Sequence, residues 1–328
     1  MILLLLIGTK YNFIMNVLIL GGNGFIGRNI IKKAIKLNWK IYSLNKNKSY
    51  HNIHNIIDLT IDVNNYEDVK NKISNLKFEY VINCLGYVNH SSFSKDGYDV
   101  IQNHFIGILN IIKCLNRSSL KKFINIGTSD EYDFNLEPKN EEMHILPRTC
   151  YSFSKYTISN FLKMLHITEK FPSITLRLFL AYGPGQNKER FIPQIILGCI
   201  SNSEFSVSKG DQIRDFCHID DVVNAIILSL ESTINNGEIY NIGSGNPIKI
   251  KNLVDKIVKK ITFGKPIFGA LPYKEFEHMN LYADVKKAEI DLKPLTVFIG
   301  GNGTGKTWTG YTLASILGEY GSERYWQA

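Results

Sequence analysis

A short apolar run, Val17–Leu20, is followed by Gly21, Gly24 and Gly27 and then by Arg28–Leu37, which reads as a helix. Few folds accommodate that passage. An apolar run of this length suits a strand buried on both faces of a parallel sheet. Glycines in the turn permit backbone angles that side chains disfavour, and let the main chain come close to an anion. The first turn of the next helix offers unpaired N–H groups, where a pyrophosphate is well placed. The spacing is G-x-x-G-x-x-G, not the more familiar G-x-G-x-x-G. Gly21, Gly24, Phe25, Ile26 and Gly27 are therefore the candidate phosphate-side contacts.

Further strand candidates are Lys40–Leu44, Ile57–Val63, Phe78–Asn83 and Phe123–Ile126, with a helical stretch from Gln102 to Leu115. Strands alternating with helices, and glycines on the first turn, predict an α/β fold with a doubly wound parallel sheet. Ligands of such sheets sit at the carboxyl ends of the strands, where Thr128 and Tyr151 would fall. Asn45 ends the second strand candidate, where an acidic residue would hold a ribose 2′-hydroxyl. With Lys46 and Lys48 beside it, the end permits a 2′-phosphate, so the choice between NAD and NADP leans to NADP. Asp62, with Val63, closes the third strand as a candidate for the adenine amino group. Leu85 and Gly86 follow the fourth strand, and Asn103 opens the helical stretch.

Tyr151 and Lys155 stand four apart, on one face of a helix and about one turn from each other. An ammonium beside a phenol favours the phenolate. A tyrosine base useful near neutrality needs its pKa lowered by ~3 units from about 10, worth about 4 kcal/mol. One cation supplies part of that, and an oxidised nicotinamide would add a second positive charge.

At 328 residues the chain is long enough for one large domain or two ordinary ones. The formal charge of +8 comes without an Arg/Lys run interleaved with aromatics, which points to solubility and anionic small ligands and away from nucleic acid. The five cysteines, at 84, 114, 150, 199 and 217, lack C-x-x-C spacing, so reduced thiols in a cytoplasm are expected, with no metal. Met1–Ile7 is apolar but far below the ~20 residues a bilayer span requires. It carries no basic n-region, and Met15 directly precedes the first strand, so residues 1–14 read as an extension outside the fold. No membrane association is expected.

Together these features resemble the extended short-chain dehydrogenase/reductases, the NAD-dependent epimerase/dehydratase family acting on nucleotide sugars. The likeness runs over about residues 15–288. It is carried by the three glycines, Asp62–Val63, Asn103, Thr128 four before Tyr132, Tyr151 with Lys155, Arg177–Gly185, Gln212–Phe216, His218–Val222 and Tyr240–Gly245. The resemblance implies a Rossmann-like domain over 15–183 and a smaller substrate lobe over 184–289. It implies Tyr151 as general acid/base at the sugar C4 oxygen and Lys155 as the group that lowers its pKa and holds the nicotinamide ribose. Thr128 would bond the same sugar oxygen, and Arg214 would pair with the diphosphate. Ser129, Arg190, Tyr273 and Lys274 complete the implied contacts to a nucleotide-diphosphate sugar. A homodimer, and a role in polysaccharide synthesis, are implied in the same way.

Two departures bear on chemistry. Leu180 stands where many members have an Asn near the diphosphate. Dehydratases of the family carry Thr-Asp-Glu consecutively, whereas Ser129 here displaces Asp130 and Glu131 by one position. At a strand end, one position turns a side chain to the opposite face, which disfavours dehydration against 4-epimerisation or 4-ketoreduction.

Beyond Glu289 the family pattern stops. Leu295–Ile299 leads into Gly300-Gly-Asn-Gly-Thr-Gly305-Lys306-Thr307, a complete G-x-x-x-x-G-K-[ST] loop resembling the start of a P-loop ATPase. Only 21 residues follow Thr307, too few for a Walker B strand, so 290–328 reads as a fragment without ATPase activity. Two alternatives stay open: a nucleotide-binding fusion without turnover, and a sugar 4,6-dehydratase.

Overall fold

Asn16–Leu20 forms β1, four of whose five residues are buried, as a strand covered on both faces must be. The computed structural model describes residues 15–47, 56–133, 137–232, 236–273 and 277–291. After β1 come α1 (Phe25–Lys36), β2 (Lys40–Asn45), β3 (Ile56–Thr60), α2 (Tyr66–Ile73), β4 (Tyr80–Asn83), α3 (Tyr98–Ile101) and α4 (Gly107–Cys114). Next are β5 (Lys122–Thr128), α5 (Cys150–Glu169), β6 (Ser173–Leu178), β7 (Leu180–Tyr182), α6 (Phe191–Ile200), β8 (Glu204–Val207), β9 (Ile213–Arg214) and β10 (Phe216–His218). The rest are α7 (Ile219–Glu231), β11 (Ile239–Ile242), β12 (Ile248–Lys249), α8 (Ile250–Ile261), β13 (Lys265–Phe268), β14 (Asn280–Leu281) and α9 (Lys286–Asp291).

Seven strands make one Rossmann-like sheet in the order β11-β6-β5-β4-β1-β2-β3. β1 runs parallel to β2 and β4, β2 to β3, and β4 to β5. The strand order reverses between β1 and β4, so a crevice opens beyond their carboxyl ends. The predicted doubly wound α/β sheet is the observed one.

The described residues divide into two compact units, drawn from Met1–Gly127, Pro147–Leu176 and Ser229–Ile239, and from Thr128–Leu146, Arg177–Leu228 and Tyr240–Ala328. The first has its core around Leu18, Leu20, Val81, Ile108, Phe123 and Ile158. In the second, Ile192, Ile196, Phe216, Val254 and Ile257 form one cluster, and Tyr132, Phe179 and Leu281 another.

Several boundaries differ from those read in the sequence. α1 begins at Phe25, not Arg28, because Gly24 takes the extended cap conformation (φ −71°, ψ 168°) and Gly27 is accommodated in the first turn. β3 stops at Thr60, so Asp62 and Val63 lie in the turn leading to α2, whose N-cap is Asn65. β5 continues to Thr128. The helical run before it begins earlier than Gln102, and α3 and α4 are joined through a π-helical turn at Gln102–Ile106. Residues 1–14, Lys48, Lys274 and the loop with Gly300, Gly305, Lys306 and Thr307 lie outside the described residues. No helix among the described residues is long and apolar enough to cross a membrane.

Candidate functional site

α5 presents the pair that the sequence singled out. Thr149 caps the helix, its hydroxyl accepting from the Ser152 N–H at 3.1 Å, which fixes the first turn and Tyr151 within it. Tyr151 and Lys155 both lie on the buried side of the helix. Lys155 Nζ donates to the carbonyl oxygens of Leu85 and Ile126, each at 2.9 Å. Both of these acceptors are backbone carbonyls. Buried polar groups need such partners, and here they come from β5 and from the loop after β4.

That loop is held closely. Asn83, at the end of β4, accepts from the Leu85 N–H at 3.1 Å and donates to Asn125 at 2.9 Å, its register partner on β5. Asn125 in turn donates to Thr175 at 3.3 Å. His104 Nε2 accepts from the Tyr87 N–H at 3.1 Å. The His104 ring meets Tyr151 edge-on at 5.6 Å, and His90 meets Tyr151 likewise at 5.7 Å. Burial, reinforced by the Lys155 charge, lowers the His104 pKa to about 3, so the imidazole is neutral. Burial pushes the Cys84 thiol up to about 12, against the pull of Lys155.

The glycine turn is built for an anion. Gly21 has φ +78°, and a Cβ there would stand 3.0 Å from the Cys84 carbonyl oxygen. A Cβ on Gly27 would fall 2.3 Å from the Gly21 oxygen, so only glycine lets α1 start this close to the turn. The Gly24 N–H closes the turn onto the Gly21 oxygen at 3.0 Å. No side chain caps α1, no acidic residue lies in its first turn, and Lys33 and Lys36 lie in its last. The N–H groups of Phe25, Ile26 and Gly27 thus belong to an uncapped helix start whose dipole favours negative charge. These residues fit the pyrophosphate of a dinucleotide.

Asn45 closes β2 and is committed to the turn: its Oδ1 accepts from the Asn23 N–H at 2.7 Å, and its Nδ2 donates to Ser43 Oγ at 2.9 Å. Asp62 is exposed and accepts from the Asn64 N–H at 3.1 Å, while the Val63 carbonyl accepts from Asn110 at 2.9 Å. Asn103 accepts from Asn64 Nδ2 at 3.1 Å and donates to the Asp99 carbonyl at 2.7 Å. Gly86, at φ +129°, leaves room for the His104 ring.

The remaining predicted residues belong to the second unit. Thr128 ends β5, and its N–H donates to Glu131 Oε1 at 3.0 Å. Its hydroxyl accepts from the Asp130 N–H at 3.2 Å. Ser129 is buried in the 3₁₀ turn Ser129–Glu131. The strand alternation invoked for Asp130 and Glu131 therefore does not apply, because neither lies in extended backbone. Glu131 is buried and accepts from Arg177 Nε at 2.8 Å. Arg177 Nη1 donates to Tyr132 Oη at 3.1 Å, which donates to Asn241 Oδ1 at 2.7 Å. Arg214 Nη2 donates to Glu277 at 2.5 Å, and Nη1 to the Ile213 carbonyl at 2.9 Å. Arg190 is the exposed N-cap residue of α6, and Tyr273 donates its hydroxyl to Asp211 at 3.1 Å. Asp215 accepts from the Ser244 N–H at 2.7 Å and the Gly245 N–H at 3.0 Å.

The first unit thus brings Tyr151, Lys155 and Leu85 together, with His104 against Tyr151 and over Gly86. His104, Asn83 and Glu131 were not singled out as site residues. The one signal for Asn83 and Asn125 was an amide at matching depth in two apolar strands.

The sequence pattern of the NAD dependent epimerase/dehydratase family matches residues 17–243. A putative UDP-glucose 4-epimerase of Methanocaldococcus jannaschii is 30% identical over 84% of this chain and 94% of its own length. A dTDP-D-glucose 4,6-dehydratase of Dictyostelium discoideum is 27% identical over 75% of this chain, which spans 62% of that protein. Among solved structures, the UDP-glucuronic acid 4-epimerase of Bacillus cereus in complex with UDP-glucuronic acid and NAD superposes with a TM-score of 0.81 at 20% identity, covering 95% of this chain and all of that one (100%).

Proposed function

The chain belongs to the NAD dependent epimerase/dehydratase family, and from that premise we propose that it moves a hydride at C4 of a nucleotide-diphosphate hexose, with Tyr151 as the proton-transfer group. The observation that carries the reading is Lys155, fixed by Leu85 and Ile126 carbonyls one helical turn from Tyr151. A positive charge held one helical turn from the phenol favours the phenolate, the form that takes a proton from a sugar hydroxyl.

A bound nicotinamide dinucleotide would supply the hydride acceptor and donor. Gly21, Gly24 and the start of α1 would hold its pyrophosphate. Tyr151 removes the C4 hydroxyl proton as the hydride leaves that carbon, which leaves a 4-ketone. Tyr151 then returns the proton to the ketone oxygen as hydride comes back. Return to the opposite face inverts C4 and makes the enzyme a 4-epimerase. The resemblance implies a contact to a substrate oxygen for Thr128, whose N–H is held by Glu131.

Glu131 bears on the choice against elimination across C5 and C6. Its oxygens accept from Arg177 and from the Thr128 N–H, an engagement that supports epimerisation or reduction over elimination. A second reading, 4-ketoreduction with NADP, draws on Asn45 standing where an acid would repel a 2′-phosphate, with Lys46 next in sequence.

Mass spectrometry of the cofactor carried by the purified chain, followed by a panel of nucleotide-linked hexoses, tests both readings. Epimerised product without net cofactor change supports the first. Stoichiometric oxidation of NADPH on a 4-keto sugar supports the second. Tyr151→Phe turnover equal to wild type would remove Tyr151 from the mechanism.

A further inference from the structure

We propose that His104 is a positioning residue for the Tyr151–Lys155 pair, acting through the loop Leu85–Tyr87. The inference rests on the reading of Tyr151 as the proton-transfer group and adds a residue to its apparatus. His104 is 2% exposed and lies in the π-helical turn Gln102–Ile106, a local widening of the helix of the kind that often re-aims functional side chains. Its Nε2 accepts from the Tyr87 N–H, which puts the proton of the neutral ring on Nδ1. A Cβ at Gly86 would stand 3.0, 3.2 and 3.3 Å from three atoms of the ring. The imidazole therefore fills the space that Gly86 leaves, and the loop is shaped around it.

Leu85 sits between two clamps. Asn83 holds its N–H from upstream, and His104 holds the Tyr87 N–H two residues downstream. The Leu85 carbonyl, thereby fixed, takes one of the bonds from Lys155 Nζ. His104 also abuts the Tyr151 ring itself. One side chain thus sets both the carbonyl that orients the ammonium and the wall that orients the phenol. Its Nδ1–H finds no partner among the described residues, a cost that an apolar residue filling the same space would not carry. The ionisable neighbours of the ring are Tyr87 on the loop and Tyr151 and Lys155 on α5, with His90 against Tyr151. The ring stays neutral through the range in which a lowered phenol would titrate, so it steers that titration without joining it.

The test is a titration of Tyr151 in the full chain by NMR of ¹³Cζ-tyrosine, its resonance identified by its absence in Tyr151→Phe. His104→Leu fills the space but cannot accept from the Tyr87 N–H; His104→Gln can. We expect the Leu variant to raise the Tyr151 midpoint by about one unit, about tenfold less phenolate at a pH below the midpoint, and the Gln variant to stay within about 0.3 unit of wild type. If the Leu variant does not fold, His104→Asn, whose shorter amide cannot reach the loop, takes its place with the same expectation. In turnover, kcat at neutral pH should follow the phenolate fraction while KM changes less than about twofold. An unchanged midpoint in the Leu variant overturns the proposal, and so does an equal rise in Leu and Gln, which would mark the ring as packing alone. Loss of the functional reading shows separately, as a wild-type chain inactive on every nucleotide sugar.

Discussion

Arg177 donates through Nε to Glu131 Oε2 at 2.8 Å, with both side chains shut off from water. Glu131 spends its other oxygen on the Thr128 N–H, so the ion pair and the end of β5 form one connected unit. Removing one partner of such a pair leaves a buried charge uncompensated, at a cost of about 3–5 kcal/mol. Arg177→Met should lower the urea midpoint by that equivalent. Arg177→Met combined with Glu131→Gln should recover a substantial share, since no charge is then stranded. Equal losses in the single and double variants would show that Glu131 draws nothing from Arg177.

His104 predicts a pH dependence that needs no substrate. Its folded pKa, about 3, lies below the ordinary 6.5 because burial and Lys155 disfavour the charged ring. A depressed folded pKa gives stability that is present above the unfolded value and lost as pH falls through the interval towards the folded one. Between pH 7.5 and pH 5 the wild-type chain should lose about 2 kcal/mol that His104→Gln does not lose. Denaturant unfolding of the two proteins at both pH values measures the difference. Parallel losses would mean the ring is protonated in the native state.

The legible parts of this molecule were those that a local rule controls. β1 with its glycines, the pairing of Tyr151 and Lys155 on one helix face, and the alternation of strands and helices each follow from a few consecutive residues. Asp130 and Glu131 were misplaced because alternation was assumed past a strand end, whereas Thr128 caps a 3₁₀ turn there. The end of β3 was overrun because Ile61 and Val63 are apolar and buried like strand residues, though they belong to the turn before α2. His104 was illegible for another reason. Its role depends on contacts with Tyr87, Gly86 and Tyr151, which are distant in sequence or offset by a π turn, and no periodicity announces such a set.

α5 also carries a face opposite to Tyr151 and Lys155. Phe153, Met164 and Ile167 fall on it at helical spacing and are 47%, 43% and 64% exposed. Thr157 and Asn160 lie between Phe153 and Met164 on that face, so the apolar side chains stand at its two ends. If the homodimer implied by the sequence resemblance forms through this helix, these exposed apolar side chains are where the second copy packs. Phe153→Glu with Ile167→Glu should turn a dimer into a monomer in analytical ultracentrifugation, and leave the far-ultraviolet circular dichroism unchanged. A monomeric wild-type chain, or a double variant that stays dimeric, would place the contact elsewhere.

Asn45 offers the sharpest handle on cofactor choice. Its amide joins the Asn23 N–H to Ser43 Oγ, so the side chain is held at the mouth of the glycine turn. Asn45→Asp keeps an oxygen for the Asn23 N–H, and Ser43 can turn its own hydrogen towards the second oxygen, so the turn should survive. What changes is charge. A carboxylate there repels a 2′-phosphate and accepts from a free 2′-hydroxyl. Calorimetry with both dinucleotides should show NADP affinity falling about tenfold or more in Asn45→Asp while NAD affinity rises, a differential of ~1.4 kcal/mol or greater. If the wild-type chain already prefers NAD and the substitution moves neither affinity, the end of β2 does not read the ribose in this protein, and the leaning to NADP falls with it.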